Sequence, residues 1–242
     1  MPNQFDDYLR VWNTKPLLRE IYALFFQQII SLIDPKIPGQ ILELGASAGN
    51  LKAHLPNGII SDLTPNPSLD LACDAYELPF PSGSLSHLVL LDVFHHLESP
   101  NALLREARRV LVPHGRLILF EPYMSWTSFP VYALLHREPV AWRTCITSAN
   151  DPPQPRNYYA AQGNATRLFF RDELPGWPTG WNVFHKRVLS SFAHILSGGF
   201  SWPSFYPFGW LRALQRCDQT LSRWPRLFGA RCLIGLTPDG GG

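Results

Sequence analysis

Residues 40–50, QILELGASAGN, constrain this chain more than any other stretch. Ile41, Leu42 and Leu44, broken only by Glu43, predict a short strand buried on both faces of a parallel sheet. Five small residues follow, Gly45 to Gly49, and Asn50 is placed to cap a helix over residues 51–55. A strand, a tight turn of small residues and a helix start let a nucleotide-like ligand approach the backbone. The dinucleotide fingerprint G-x-G-x-x-G is absent from the chain.

Upstream, residues 16–33 place Leu17, Ile21, Leu24, Phe25, Ile29 and Leu32 at helical spacing, which predicts an amphipathic helix ended by Pro35 and Pro38. Its broad apolar face suits packing on a sheet, and residues 1–36 can also serve as a helical lid over a ligand. Downstream, residues 58–63 (GIISDL) read as a second strand ending in Asp62, 19 residues after Glu43. A carboxylate at that tip, with Leu63 beside it, can accept from both hydroxyls of a ribose. The plainer reading is a turn aspartate ahead of Thr64-Pro65-Asn66-Pro67. Residues 69–77 predict a third strand ending at Cys73-Asp74-Ala75, and residues 84–93 a buried fourth. Residues 100–111 predict a helix whose Arg105, Arg108 and Arg109 form a solvated face, and residues 116–121 a fifth strand. Such alternation with short links argues an α/β fold with a doubly wound, mostly parallel sheet.

Taken in order, these segments resemble the class I S-adenosylmethionine-dependent methyltransferases, and among them the methyltransferase type 11 group. Glu43-Leu44-Gly45-Ala46-Ser47-Ala48-Gly49 is similar to the family's acidic, apolar, Gly-x-Gly-x-Gly turn, with Ser47 at the middle glycine. Residues 78–85 (LPFPSGSL) resemble its LPFPDGSFD loop, with Ser86 at the usual Asp. Asp92-Val93-Phe94-His95-His96-Leu97 resembles the segment after its fourth strand. Residues 105–122 (REARRVLVPHGRLILFEP) resemble the block leading into its fifth, with His114 where a glycine is usual. The resemblance covers residues 37–122. It implies a seven-stranded Rossmann-like sheet, S-adenosyl-L-methionine as cofactor, and one domain over 1–242 with a cofactor-binding half at 37–122 and a substrate-side half at 123–242. It further implies that Glu43, Gly45, Ser47 and Gly49 form the methionine-side turn and that Asp62 and Leu63 stand at the ribose. Asp74 and Ala75 would meet the adenine, and backbone carbonyls around Asp92 would hold the methionine amino group.

A formal net charge of +2 gives no reason to expect a nucleic-acid partner. Cys73, Cys145, Cys217 and Cys232 are too scattered for a zinc site or a disulfide framework. The first ten residues show no signal pattern, and no apolar run approaches the ~20 residues of a membrane span. A cytoplasmic protein is the expectation.

The second half changes character: seven of the eight tryptophans follow residue 120. Residues 144–164 predict a loop or mobile lid, 165–174 a helix, 181–192 a sixth strand, 211–224 an amphipathic helix and 231–236 a final antiparallel strand. Trp126, Phe129, Tyr132, Trp142, Phe200, Trp202, Phe205 and Tyr206 are candidates to line an aromatic-rich cap over an aromatic or lipid-like small-molecule acceptor, against ordinary packing. Residues 200–224, aromatic and then basic at Arg212, Arg216 and Arg223, suggest a peripheral membrane contact.

Methyl transfer from a sulfonium is an in-line displacement that needs alignment and dryness, no metal, and a base only when the acceptor carries a proton. His95, His96, Tyr123 and His136 are the candidate bases. O-methylation of a sugar, lipid-linked or aromatic hydroxyl leads, with carbon and nitrogen acceptors open. A non-catalytic scaffold or partner subunit of the same fold is the alternative, and a serine-hydrolase triad is not expected. Oligomeric state is not legible.

Overall fold

The computed structural model describes residues 4–47, 50–55, 57–135, 140–146 and 162–239. His136 and Gly49, and most of the predicted 144–164 loop, lie outside them. The strands are β1 (Gln40–Leu44), β2 (Ile59–Asp62), β3 (Leu71–Ala72), β4 (Leu85–Leu91), β5 (Leu111–Pro122), β6 (Trp181–Ser190) and β7 (Gly229–Pro238). They form one sheet in the order β3-β2-β1-β4-β5-β7-β6. The first five run parallel and β7 lies antiparallel between β5 and β6. The strand order reverses between β1 and β4, so a crevice opens at their C-terminal ends.

The centre of the sheet is apolar on both faces, as the continuous hydrophobic runs require. In β4 and β5, Leu88, Leu90, Leu117 and Leu119 pack to one side, with Leu103, Ala107 and Val110 of the helix Pro100–Val110. Val89, Ile118 and Phe120 point to the other side, against Ile21, Phe25 and Ile29 of the helix Pro16–Ile30. Alternation of side chains along a strand produces both cores from one sequence run. Each fully buried Leu or Phe contributes about 1.5–3 kcal/mol.

Local chemistry sets the helix starts. Ser99 accepts from the Ala102 amide and Pro100 occupies the first turn. Pro16 does the same for Pro16–Ile30, which is preceded by a further helix, Gln4–Thr14, that the sequence reading did not anticipate. Its Trp12 packs on Tyr22 and Phe26.

Several boundaries differ from expectation. The predicted helix at 51–55 is a single 3₁₀ turn, Asn50–Ala53, with Asn50 inside it rather than capping it. The 165–174 segment holds a π-helical turn, Thr166–Phe170. The third strand is only two residues long. The helix predicted over 211–224 ends at Leu221, ahead of Pro225, which cannot continue the hydrogen-bond ladder, and a separate short helix, Pro225–Phe228, follows.

Candidate active site

Three strand ends meet at the crevice. After β1 the backbone turns through Gly45, whose φ is +70°, and Ser47, whose φ is +47°. A Cβ on Gly45 would fall 2.2 Å from a Val93 methyl, so the position is closed to any side chain. Ser47 occupies the left-handed region that glycine enters without strain, which explains why a glycine is the usual residue there. Asp62, at the end of β2, pins this turn: its Oδ2 accepts the Ser47 amide at 2.9 Å and its Oδ1 the Thr64 amide at 3.2 Å. Asn66 completes the bracket by donating to the Ser47 carbonyl at 3.0 Å. Asp62 thus holds the turn on both sides of β2's end. An ionised carboxylate has about four lone-pair sites, so two remain for a ligand's hydroxyls. Leu63 beside it is 47% exposed and offers an apolar surface at the same edge.

Glu43 is buried in β1, and its Oε2 has no hydrogen-bond partner among the described residues. Burial, reinforced by the Asp62 carboxylate, pushes its carboxyl up to about 8. An orphaned buried acceptor beside a turn closed to side chains fits a ligand that brings a cationic donor. Asp74 follows β3 and accepts the Tyr76 amide at 2.9 Å, shaping a turn that carries Ala75.

A second group lies at the ends of β4 and β5. Glu121 is fully buried and accepts the amides of Val93 at 2.9 Å, Phe94 at 2.8 Å and His95 at 3.3 Å. Its Oε2 also lies 2.6 Å from His95 Nδ1. The carboxylate therefore caps the 3₁₀ turn Phe94–His96 and orients the imidazole. Asp92, with φ +57°, pairs with the buried Arg231 of β7. Burial alone would raise the Asp92 carboxyl, but the Arg231 guanidinium outweighs it and holds it below the usual carboxylate range. Arg231 also lies over the rings of Phe25 (5.2 Å) and Phe120 (5.9 Å). The sequence reading missed both Glu121 and Arg231. An acid at the end of a wholly apolar strand was the available signal for the first, and nothing local marked the second.

Ligand atoms of Asp92, His95 and Glu121 fall within 4.8 Å of one another. Glu121 already accepts four N–H donors and Asp92 is paired with Arg231, so the group reads as a hydrogen-bonded cluster rather than a cation cage.

Tyr123 is buried at the end of β5, its ring edge-on to Phe170 at 5.1 Å, and burial raises its phenol above the usual range. That makes it a poor base. The aromatic residues expected to line one cavity divide. Tyr132 and Tyr206 are buried, Phe200 packs on Tyr8 and Tyr22, and Phe129 meets Trp142 edge-on. Trp126, Trp202 and Phe205 are exposed instead. A cavity of about 420 Å³ beside β6, lined by Phe169, Phe170, Trp177 and Lys186, includes none of the site residues named from sequence.

Residues 45–49 also spell G-x-S-x-G, the pattern of a serine-hydrolase elbow, which the sequence reading passed over. Left-handed Ser47 would suit an elbow. However, among the described residues no histidine is bonded to its hydroxyl, and a 3₁₀ turn follows in place of a helix.

The strand order, the antiparallel β7 and the glycine turn define the Rossmann-like fold of the class I S-adenosylmethionine-dependent methyltransferases. Residues 43–119 match the methyltransferase domain family, the type 11 group, and S-adenosylmethionine is the cofactor that goes with this fold and domain. No curated protein matches the chain. Among solved structures, it is similar to a Thermotoga maritima S-adenosylmethionine-dependent methyltransferase described as a possible histamine N-methyltransferase, with TM-score 0.57, 16% identity, and 96% of this chain and 94% of that one covered. It is also similar to a chain of the complex between the Haloferax volcanii Trm112 methyltransferase activator and a putative methyltransferase, with TM-score 0.55, 16% identity, and 99% and 100% covered. A third is the geranyl diphosphate C-methyltransferase of Streptomyces coelicolor A3(2), solved with Mg2+, geranyl diphosphate and S-adenosylhomocysteine, with TM-score 0.51, 10% identity, and 91% and 80% covered. At these identities the likeness is one of fold.

Proposed function

We propose that this chain is a working S-adenosylmethionine-dependent methyltransferase that methylates a hydroxyl of a small-molecule, sugar or lipid-like acceptor. The observation that carries the reading is the His95–Glu121 pair at the crevice end of β4. When bound, the cofactor supplies a methyl group already activated for displacement. The chain's own residues hold, align and keep dry. The turn through Gly45, Ser47 and Gly49 takes the methionine side, with the orphaned Glu43 facing its ammonium group. Asp62 and Leu63 take the ribose, Asp74 and Ala75 the adenine, and the backbone at Asp92 the methionine end. The two N-terminal helices cover the crevice and exclude water.

His95 takes the acceptor's hydroxyl proton as the new bond forms. Glu121, on Nδ1, fixes the ring and stabilises the imidazolium that results. His136, outside the described residues, is a second candidate base.

Titration calorimetry with S-adenosylmethionine, S-adenosylhomocysteine and NAD tests the cofactor, and a labelled-methyl screen over hydroxylated acceptors tests the reaction. Micromolar binding of the first two and none of NAD is expected. Asp62→Asn should weaken that binding by roughly 1.5–3 kcal/mol, the value of a hydrogen bond to a charged group. Absence of binding would leave a fold kept as scaffold or partner subunit.

A further inference from the structure

We propose that the loop 200–210 together with the arginine face of Leu211–Leu221 is a docking surface for an anionic lipid bilayer. The inference rests on exposure and charge, and stands whether or not the methyl-transfer reading holds. Trp202, Phe205, Phe208 and Trp210 lie within nine residues and are 51–70% exposed. They are not loose. Between them Tyr206 is buried and its hydroxyl donates to the Ala193 carbonyl at 2.8 Å. The Phe205 amide donates to the Leu196 carbonyl at 2.9 Å, and Lys15 Nζ donates to the carbonyls of Gly199 at 2.7 Å and Trp202 at 2.9 Å. A loop fixed this firmly holds its aromatic rings outward.

Charge follows directly. Arg212, Arg216 and Arg223 fall at positions i, i+4 and i+11, one stripe of the helix and its continuing turn, and all are exposed. Among the described residues none of them pairs with a carboxylate. The only acid between residues 196 and 230 is Asp218. It is turned inward, accepting from Ser190 Oγ at 2.8 Å and the amides of Phe192 at 2.7 Å and Ala193 at 3.0 Å. The outer face is therefore aromatic and purely cationic. A second copy of the chain would bring like charge against like charge across a two-fold interface. Aromatic side chains at the headgroup level beside unpaired arginines suit a negatively charged bilayer surface. No helix among the described residues is long and apolar enough to cross a membrane, so the contact is with the surface. Phe200, at the start of the loop, packs on Tyr8, Trp12 and Tyr22 of the two N-terminal helices, so docking would set those helices beside the lipid.

The test is flotation of the full chain with phosphatidylcholine vesicles, with and without phosphatidylglycerol. Two variants accompany it: one with Trp202→Ser, Phe205→Ser, Phe208→Ser and Trp210→Ser, the other with Arg212→Glu, Arg216→Glu and Arg223→Glu. All seven side chains are exposed, and unchanged thermal melting confirms each fold. Binding to the phosphatidylglycerol vesicles alone, falling with salt and by about tenfold or more in each variant, is the expected result. Three outcomes overturn the proposal. The first is no vesicle binding by the wild type, and the second is binding that neither folded variant changes. The third is concentration-dependent dimerisation, without vesicle binding, that the aromatic variant abolishes.

Discussion

Glu121 at the end of β5 grips His95 twice, through its Nδ1 at 2.6 Å and through its amide at 3.3 Å, so one carboxylate sets both the ring and the backbone that carries it. Both contacts are to Oε2, while Oε1 accepts the amides of Val93 and Phe94. The two roles separate by mutation. Glu121→Ala leaves buried donors without acceptors and should destabilise the fold by roughly 3 kcal/mol or more, read by denaturant unfolding. A loss under about 1 kcal/mol would mean that the turn does not depend on it. His95→Gln should leave the fold and S-adenosylhomocysteine affinity near wild type. It should lower turnover of a hydroxyl acceptor on the order of a hundredfold, the usual contribution of a positioned base. Equal turnover would make His95 structural.

Ser47 and His114 are the two places where the chain departs from glycine in its methyltransferase-like turns, and both sit at positive φ, +47° and +63°. A left-handed L-residue costs roughly 1–2 kcal/mol. Replacing either by glycine removes that strain at the expense of greater freedom in the unfolded chain. Ser47→Gly and His114→Gly should each raise stability by a few tenths to about 1 kcal/mol. A melting temperature lowered by Ser47→Gly would show that the Ser47 side chain stabilises the turn more than its backbone strains it.

What the sequence disclosed about the site is bound up with these positions. The run Ile41-Leu42-Glu43-Leu44 announces a strand because every residue but Glu43 is apolar, and the small residues after it announce a turn that Val93 closes to a side chain at Gly45. The place of Asp62 at the end of the second strand was legible from the short apolar run before it, but its hold on the Ser47 amide was not. Nor was Arg231. It meets Asp92 across 139 positions, a pairing that only the antiparallel insertion of β7 beside β5 brings about. Glu121 read as the polar end of a strand, and its partners, three backbone amides and the His95 ring, come from another segment. The aromatic residues of the second half showed composition without direction, since exposure and burial of Trp202 and Tyr206 depend on how one short loop is tied to Lys15 and Ala193.

The orphaned Glu43 makes cofactor binding a proton-linked event. Its carboxyl stands at about 8 in the free protein, so it is mostly neutral at pH 7. An ammonium group placed against Oε2 favours the ionised form, and binding must then release a proton. Affinity should rise with pH up to about 8 and level off above it. Calorimetry in two buffers of different ionisation enthalpy measures the release. The ligand's own amino group titrates near the same range, so the quantity to compare is wild type minus Glu43→Gln. The fold itself carries the opposite sign. With a folded value of about 8 against an ordinary 4.5, Glu43 costs stability progressively as pH rises through that window. Glu43→Gln should accordingly gain stability over wild type at pH 8, and identical pH profiles would refute the assignment.

The Asp92–Arg231 pair is the remaining test of how the crevice floor is built. The Arg231 side chain is almost wholly buried and Asp92 keeps about a quarter of its side chain in solvent, so the two single losses are unequal. Asp92→Asn strands a guanidinium between Phe25 and Phe120 and should cost roughly 3–5 kcal/mol. Arg231→Met leaves a carboxylate that water can reach and should cost less. Adding Arg231→Met to Asp92→Asn removes the stranded charge, so the double variant should be more stable than Asp92→Asn alone, with a coupling above about 1.5 kcal/mol. The acid limb carries the same signature. The Arg231 guanidinium holds the Asp92 carboxyl low, so its share of stability is present above the ordinary carboxylate value and is lost as pH falls below it. Unfolding measured across pH 3 to 7 should show that loss in wild type and not in the double variant. Additive single effects with parallel acid limbs would mean that the pair does not hold the β7 strand to the end of β4.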